Sequence, residues 1–141
     1  MIVNLKKIHS CIFILDISYQ NRYIMTAKKQ IFVFFFVNDR GKEPVREWLK
    51  GLSKEERTII GEDIKTAEFS WPIGMPTVGT LGSGLYEVRS NLPNKTIART
   101  IFTIYKRKMV LLHGFIKKDQ KTPNKDKKLA KQRLKKFESK K

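Results

Sequence analysis

Ile97-Ala98-Arg99-Thr100-Ile101-Phe102-Thr103-Ile104-Tyr105-Lys106-Arg107-Lys108-Met109-Val110-Leu111-Leu112-His113-Gly114-Phe115-Ile116-Lys117 is the stretch that decides the fold. Two β-rich runs flank a short basic break, which predicts strands over 97–105 and 109–117 joined by a tight turn at Lys106-Arg107-Lys108. Immediately upstream, Leu85–Arg89 repeats the pattern, and Asn91–Lys95, with Pro93-Asn94, connects it. A three-stranded meander is the expectation.

Further upstream the period changes. Trp71-Pro72-Ile73-Gly74-Met75-Pro76 reads as a loop, because its prolines lack an N–H and fix φ. That loop is expected to reach Leu81-Gly82-Ser83-Gly84. Before it, Ser53-Lys54-Glu55-Glu56 is a capping box opening a helix to about Phe69, with Ile60, Ile64 and Ala67 on its inner face. Val45, Trp48, Leu49 and Leu52 recur at helical spacing after Pro44, and Gly51 ends that helix. Ile31–Val37 is uniformly apolar, as in a strand covered on both faces. After Pro123 the chain is almost entirely charged, yet Leu129, Ala130, Leu134 and Phe137 mark a thin apolar stripe at helical spacing. The order β-α-α-β-β-β-α implies an α+β fold with a small antiparallel-rich sheet, the two N-terminal helices packed on one face of it, and a basic helix at the C-terminus.

Charge narrows the partners. The chain has 141 residues and a formal net charge of +17. Residues 106–141 hold 15 Lys or Arg against three acids, so +12 of the +17 lies there. Such an excess repels itself unless a polyanion neutralises it. Nucleic acid, an acidic protein or an anionic membrane are the candidate partners. Cys11 is the only cysteine and His9 and His113 the only histidines, which argues against a disulfide framework or a thiolate and imidazole zinc site. No cofactor and no metal are expected. Ile8–Ile17 resembles a weak signal segment, but His9, Ser10 and Asp16 interrupt it and no small-residue cleavage site follows. A cytoplasmic protein is expected, with Met25 an alternative start.

Strand alternation sorts the cations. Leu111, His113, Phe115 and Lys117 share one face; Ile97, Arg99, Ile101, Thr103 and Tyr105 share another; Leu85, Glu87 and Arg89 share a third. If the three sets coincide, Arg89, Arg99, Tyr105, His113 and Lys117 stand on one sheet face.

Leu81-Gly82-Ser83-Gly84-Leu85-Tyr86-Glu87-Val88-Arg89, then Ala98-Arg99 leading to Tyr105, then Leu111–Pro123 resemble the phage-derived HigB-like branch of the RelE/ParE toxin superfamily. The His113–Pro123 segment is the most specific part, and Gly74-Met75-Pro76 fits the family's loop. The likeness runs from about Phe32 to Phe137. It implies a RelE-like domain over 30–138, preceded by an extension over 1–29 and followed by a basic tail over 139–141. It also implies the toxin of a type II toxin–antitoxin pair, a metal-free mRNA endonuclease working in the ribosomal A site. Its partners would be mRNA, ribosomal RNA and a cognate antitoxin, often of helix-turn-helix type.

By that resemblance Arg89 and Arg99 match the family's strand arginines, and Lys117, Lys118 and Lys121 its terminal basic motif. Arginine suits a scissile phosphate because its planar fork is bidentate and permanently charged. Arg89 and Arg99 are therefore the expected phosphate clamps, with Lys117 or Lys118 as a further stabiliser, and Arg99→Ala is expected to fold normally and lose toxicity. Tyr105 and His113 complete the catalytic candidates. Lys121, Lys106, Arg107, Lys108 and Lys125 are candidate RNA contacts. Each has a plainer reading. Either arginine can pair with an acid such as Glu87 or Glu47, Tyr105 can be amphipathic packing, and His113 can be a satisfied core histidine. Two other functions stay open: a ParE-like poison of DNA gyrase, and a non-catalytic RNA-binding phage accessory protein.

Overall fold

The computed structural model describes residues 28–118 and 121–141. Cys11, Met25 and most of the expected 1–29 extension lie outside the described residues. The order is β1 (Phe32–Phe35), α1 (Pro44–Lys50), α2 (Lys54–Ser70), β2 (Val78–Gly82), β3 (Leu85–Leu92), β4 (Thr96–Tyr105), β5 (Lys108–Lys117) and α3 (Asn124–Lys140). The class is α+β, with a five-stranded mixed sheet in the order β1-β5-β4-β3-β2.

The meander forms as expected, with β3, β4 and β5 antiparallel. Three features depart from the sequence reading. First, β2 extends the sheet where a loop was expected, pairing antiparallel to β3. Val78-Gly79-Thr80-Leu81-Gly82 is poor in strand formers, and a register shift falls between Thr80 and Gly82, so no clean alternation announces it. The turn after it is explicable, because Ser83 and Gly84 both take positive φ, as a two-residue hairpin loop of matching twist requires. Second, β1 pairs parallel to β5 at the sheet edge. Third, only the two N-terminal helices share one face, as expected of them, and the C-terminal helix lies on the other.

α1 and α2 cover one side. Val45, Leu49, Ile60, Ile64 and Ala67 pack there with Val33, Phe35, Val88, Phe102, Met109 and Leu111, all buried. Each full burial of such a side chain contributes about 1.5–3 kcal/mol. Trp71, Tyr86 and Phe102 close this core, with Trp71 edge-on to Tyr86 at 5.1 Å and Tyr86 stacked on Phe102 at 5.5 Å. The α2 capping box is complete, with Ser53 Oγ accepting from Glu56 N–H and Glu56 reaching back. At the other end of α2, buried Glu68 accepts from the Val33 N–H at 2.9 Å and so ties the helix to the edge strand.

α3 covers the opposite side. Its stripe of Ala130, Leu134 and Phe137 meets Phe36, Leu85, Ile101, Val110 and Leu112, so most of the basic C-terminal segment is a packed helix rather than a frayed tail. One bulge sets the side-chain phase. Ile101 pairs with His113 but Phe102 pairs with Leu111, leaving Leu112 as the extra residue. Leu111 therefore faces α1 and α2, while His113 and Phe115 face α3. The expected sharing of a face by Leu111 and His113 is corrected on that ground. No described helix is long and apolar enough to cross a membrane.

Candidate nucleic-acid interface

Register brings the strand cations into rows on the α3 side. Arg89, Arg99 and Phe115 stand opposite one another across β3, β4 and β5. Glu87, Ile101 and His113 form the next row. Lys117 lies two pairs beyond Phe115, opposite Ile97. The face expected to carry Arg89, Arg99, Tyr105, His113 and Lys117 is thus continuous, but its members do different things.

Glu87 is the hub. It is 1% exposed. Its Oε1 accepts from Arg89 Nε at 2.9 Å and from Arg99 Nη1 at 2.8 Å, and its Oε2 accepts from Thr122 Oγ1 at 2.6 Å. Thr122 Oγ1 in turn accepts from Arg99 Nη1 at 2.9 Å. These are charge-assisted bonds in a dry site, where each is strong and the loss of any partner is costly. Arg99 is fully buried within them. Its expected role as a phosphate-contacting clamp is corrected: the guanidinium holds Glu87 and Thr122 and presents no surface to a ligand. Arg89 differs, with a side chain 27% exposed.

Arg89 lines a groove of about 490 Å³ together with Glu87, Lys121, Thr122, Lys127, Met75 and the β2 residues Gly79, Thr80 and Leu81. β2 and β3 form one wall, and the segment leading into α3 with its first turn forms the other. Arg89, Lys121 and Lys127 bring three cations around it, and the buried Arg99 offsets the charge of Glu87. Converging cations of this kind bind phosphate.

His113 lies outside that groove. Its Nε2 is 2.6 Å from Asp126 Oδ1 and its Nδ1 is 3.3 Å from Arg133 Nη1. A guanidinium only donates, so Nδ1 accepts and Nε2 carries the proton that it gives to Asp126. Burial, helped by Arg133 and Lys125, holds the ring below the ordinary imidazole value of 6.5 against the opposing pull of Asp126. Arg133 also donates to the Leu112 carbonyl at 2.8 Å. His113 is a satisfied strut between β5 and α3, not an acid or base facing solvent, and Lys125 sits beside it.

The other candidates gather at the far end of the sheet. Tyr105 is six residues along β4 from Arg99, roughly 20 Å away. Phe137 meets its ring edge-on at 5.7 Å, and Lys106 and Lys141 lie over it at 5.3 and 4.3 Å. It lines a second, larger groove of about 660 Å³ with Phe34, Lys106, Lys108 and Phe137. Arg107 is structural: its Nε and Nη2 donate to the carbonyls of Gln30 and Lys29 at 2.9 and 3.0 Å. That contact fastens the chain entering β1, and the side chain stays exposed. Lys108 lies over Phe34 at 5.3 Å. Tyr105 therefore shares no site with Arg89. Lys117 closes β5 at the Arg89 end, and Lys118 follows it, exposed. Among the described residues no group of three or more His, Cys, Asp and Glu side chains is placed to hold a metal ion.

A family profile described as "Phage derived protein Gp49-like (DUF891)" matches residues 47–135. The chain belongs to this family. The matched span includes β2 to β5 and the first turns of α3, hence both walls of the 490 Å³ groove. No curated protein matches the chain. Reading the Gp49-like sequence alone missed Lys127, Thr122, Asp126 and Arg133. The helical stripe after Pro123 held a signal for all but Thr122, because any helix packed by Ala130 and Leu134 also orients its polar neighbours. Glu87 was visible as a partner for Arg89, though not as a buried one.

Proposed function

We propose that this Gp49-like protein is the toxin of a type II toxin–antitoxin pair, a RelE-like, HigB-related endoribonuclease that cuts mRNA on the ribosome. The groove framed by Arg89, Lys121 and Lys127 is the observation that carries the reading. The net charge of +17 and the phage-derived family support it. In the proposed reaction the 2′-oxygen of the substrate attacks the adjacent phosphorus and the bond to the 5′-oxygen breaks. The 2′-hydroxyl loses its proton to solvent water, and the departing oxygen gains one. Charge growing on the phosphate is met by Arg89, and the ammonium of Lys121 or Lys127 delivers the leaving-group proton. Removing one such stabilising donor typically costs about 10²–10³ in rate. His113 is committed to Asp126 and Arg133, so the groove has no histidine to orient the 2′-hydroxyl. The ribosomal A site is expected to supply that positioning, and free protein should cut RNA poorly. A helix-turn-helix antitoxin and a cytoplasmic setting complete the proposal.

The same engagement of His113 favours one second reading, a non-catalytic RNA-binding phage accessory protein. Primer extension on mRNA from cells expressing the chain separates the two. The toxin reading predicts new 5′ ends within translated frames and growth arrest. Intact mRNA would contradict it; with arrest and DNA damage it would point to a gyrase poison, and without toxicity to the accessory protein.

A further inference from the structure

The apolar side of the cationic groove carries a further step. Among the described residues, Phe32 and Met75 are the exposed large apolar side chains, at 40% and 60%. Phe32 is overlaid by the Arg107 guanidinium at 5.5 Å. Met75 stands instead at the groove, with Leu81 on the same lining and Arg89, Lys121 and Lys127 around the rest. Its thioether is seated rather than stray: a Cβ built on Gly79 would fall 3.3 Å from Met75 Sδ. The bare glycine lets the sulfur lie against β2. Isolated exposed apolar residues are ordinary; an apolar surface seated beside three cations in one cavity is a two-part ligand template.

We propose that Met75, with Leu81, is the base-contacting wall of a single-nucleotide subsite whose phosphate lies against Arg89, Lys121 and Lys127. The inference rests on the reading of this groove as an RNA site and assigns its ligand chemistry: an unstacked nucleotide of single-stranded RNA. A planar base offers its face to an apolar wall while its phosphate seeks the cations. The polarizable, flexible thioether makes favourable contacts with aromatic rings and adapts to their shape. The subsite should therefore tolerate different bases and require that one be present.

The test compares two probes on purified full-length protein: a fluorescein-labelled oligouridylate, and an abasic oligonucleotide of equal length and charge. Met75→Ala should weaken oligouridylate binding by roughly tenfold, the scale of one lost base contact, and leave the abasic probe unchanged. Met75→Leu should retain most of the binding. Thermal melting should be unaffected, because the side chain is largely exposed. Equal weakening of both probes by Met75→Ala, or no change in either, would overturn the proposal. If the wild-type chain binds neither probe, the RNA reading of the groove fails with it. Base-dependent binding without mRNA cleavage would leave the subsite standing and remove only the proposed enzymatic activity.

Discussion

At Gly114 the ring of Trp48 lies against the sheet so closely that a Cβ would overlap it. Gly114→Ala must therefore displace α1 from β5, and overpacking of this kind costs about 1–3 kcal/mol or more. A urea melt should show that loss as a lower midpoint. His113 tests differently. Its folded pKa is depressed, so the unfolded chain takes up a proton as pH falls through 6.5 while the folded ring stays neutral. The contribution of His113 is complete above 6.5 and declines as pH falls below it. His113→Gln should flatten that part of the stability–pH curve measured by chemical denaturation; equal slopes would show that the ring is not held neutral. Arg99 shows where residue-level reading stops. Alternation placed it on the right face, but its contacts with Glu87 and Thr122 join residues 12 and 23 positions away, which no local pattern records. The expectation that Arg99→Ala folds normally is revised accordingly: breaking a buried ion pair costs about 3–5 kcal/mol.

Elements with strong local signals were legible. The Ser53 capping box was readable because both halves of the motif lie within four residues, and Ser53→Ala should cost about 1 kcal/mol. A thermal or denaturant midpoint unchanged by Ser53→Ala would show that α2 is held by its packing alone. The β4–β5 hairpin was legible together with the place of its tight turn, though not the conformation of that turn. Pairing of Tyr105 with Lys108 leaves a two-residue loop, and both Lys106 and Arg107 take positive φ without the glycine that usually signals it. The bonds from Arg107 to the Lys29 and Gln30 carbonyls help hold that conformation. β2 was missed for the opposite reason: its stability comes from β3 beside it, and Gly79 and Gly82 hide its pattern. The position of α3 was not legible either, because an amphipathic stripe says that a face is buried but not on which side of the sheet.

Across the described residues, α3 borders a basic groove at each end of one sheet face. Its first turn helps to build the groove with Arg89, Lys121 and Lys127, and its last turn, with Phe137, Lys140 and Lys141, borders the groove of Tyr105, Lys106 and Lys108. A chain merely coated in charge would bind RNA equally through either end. The proposed toxin uses the first. The most direct measurement is primer extension on mRNA in a translating extract, comparing wild type with two charge-matched double variants. Lys121→Gln with Lys127→Gln should lower cleavage at least about tenfold, whereas Lys106→Gln with Lys108→Gln should leave cleavage near the wild-type level. Equal cleavage by the two variants, or a loss confined to the Lys106 and Lys108 pair, would contradict the account.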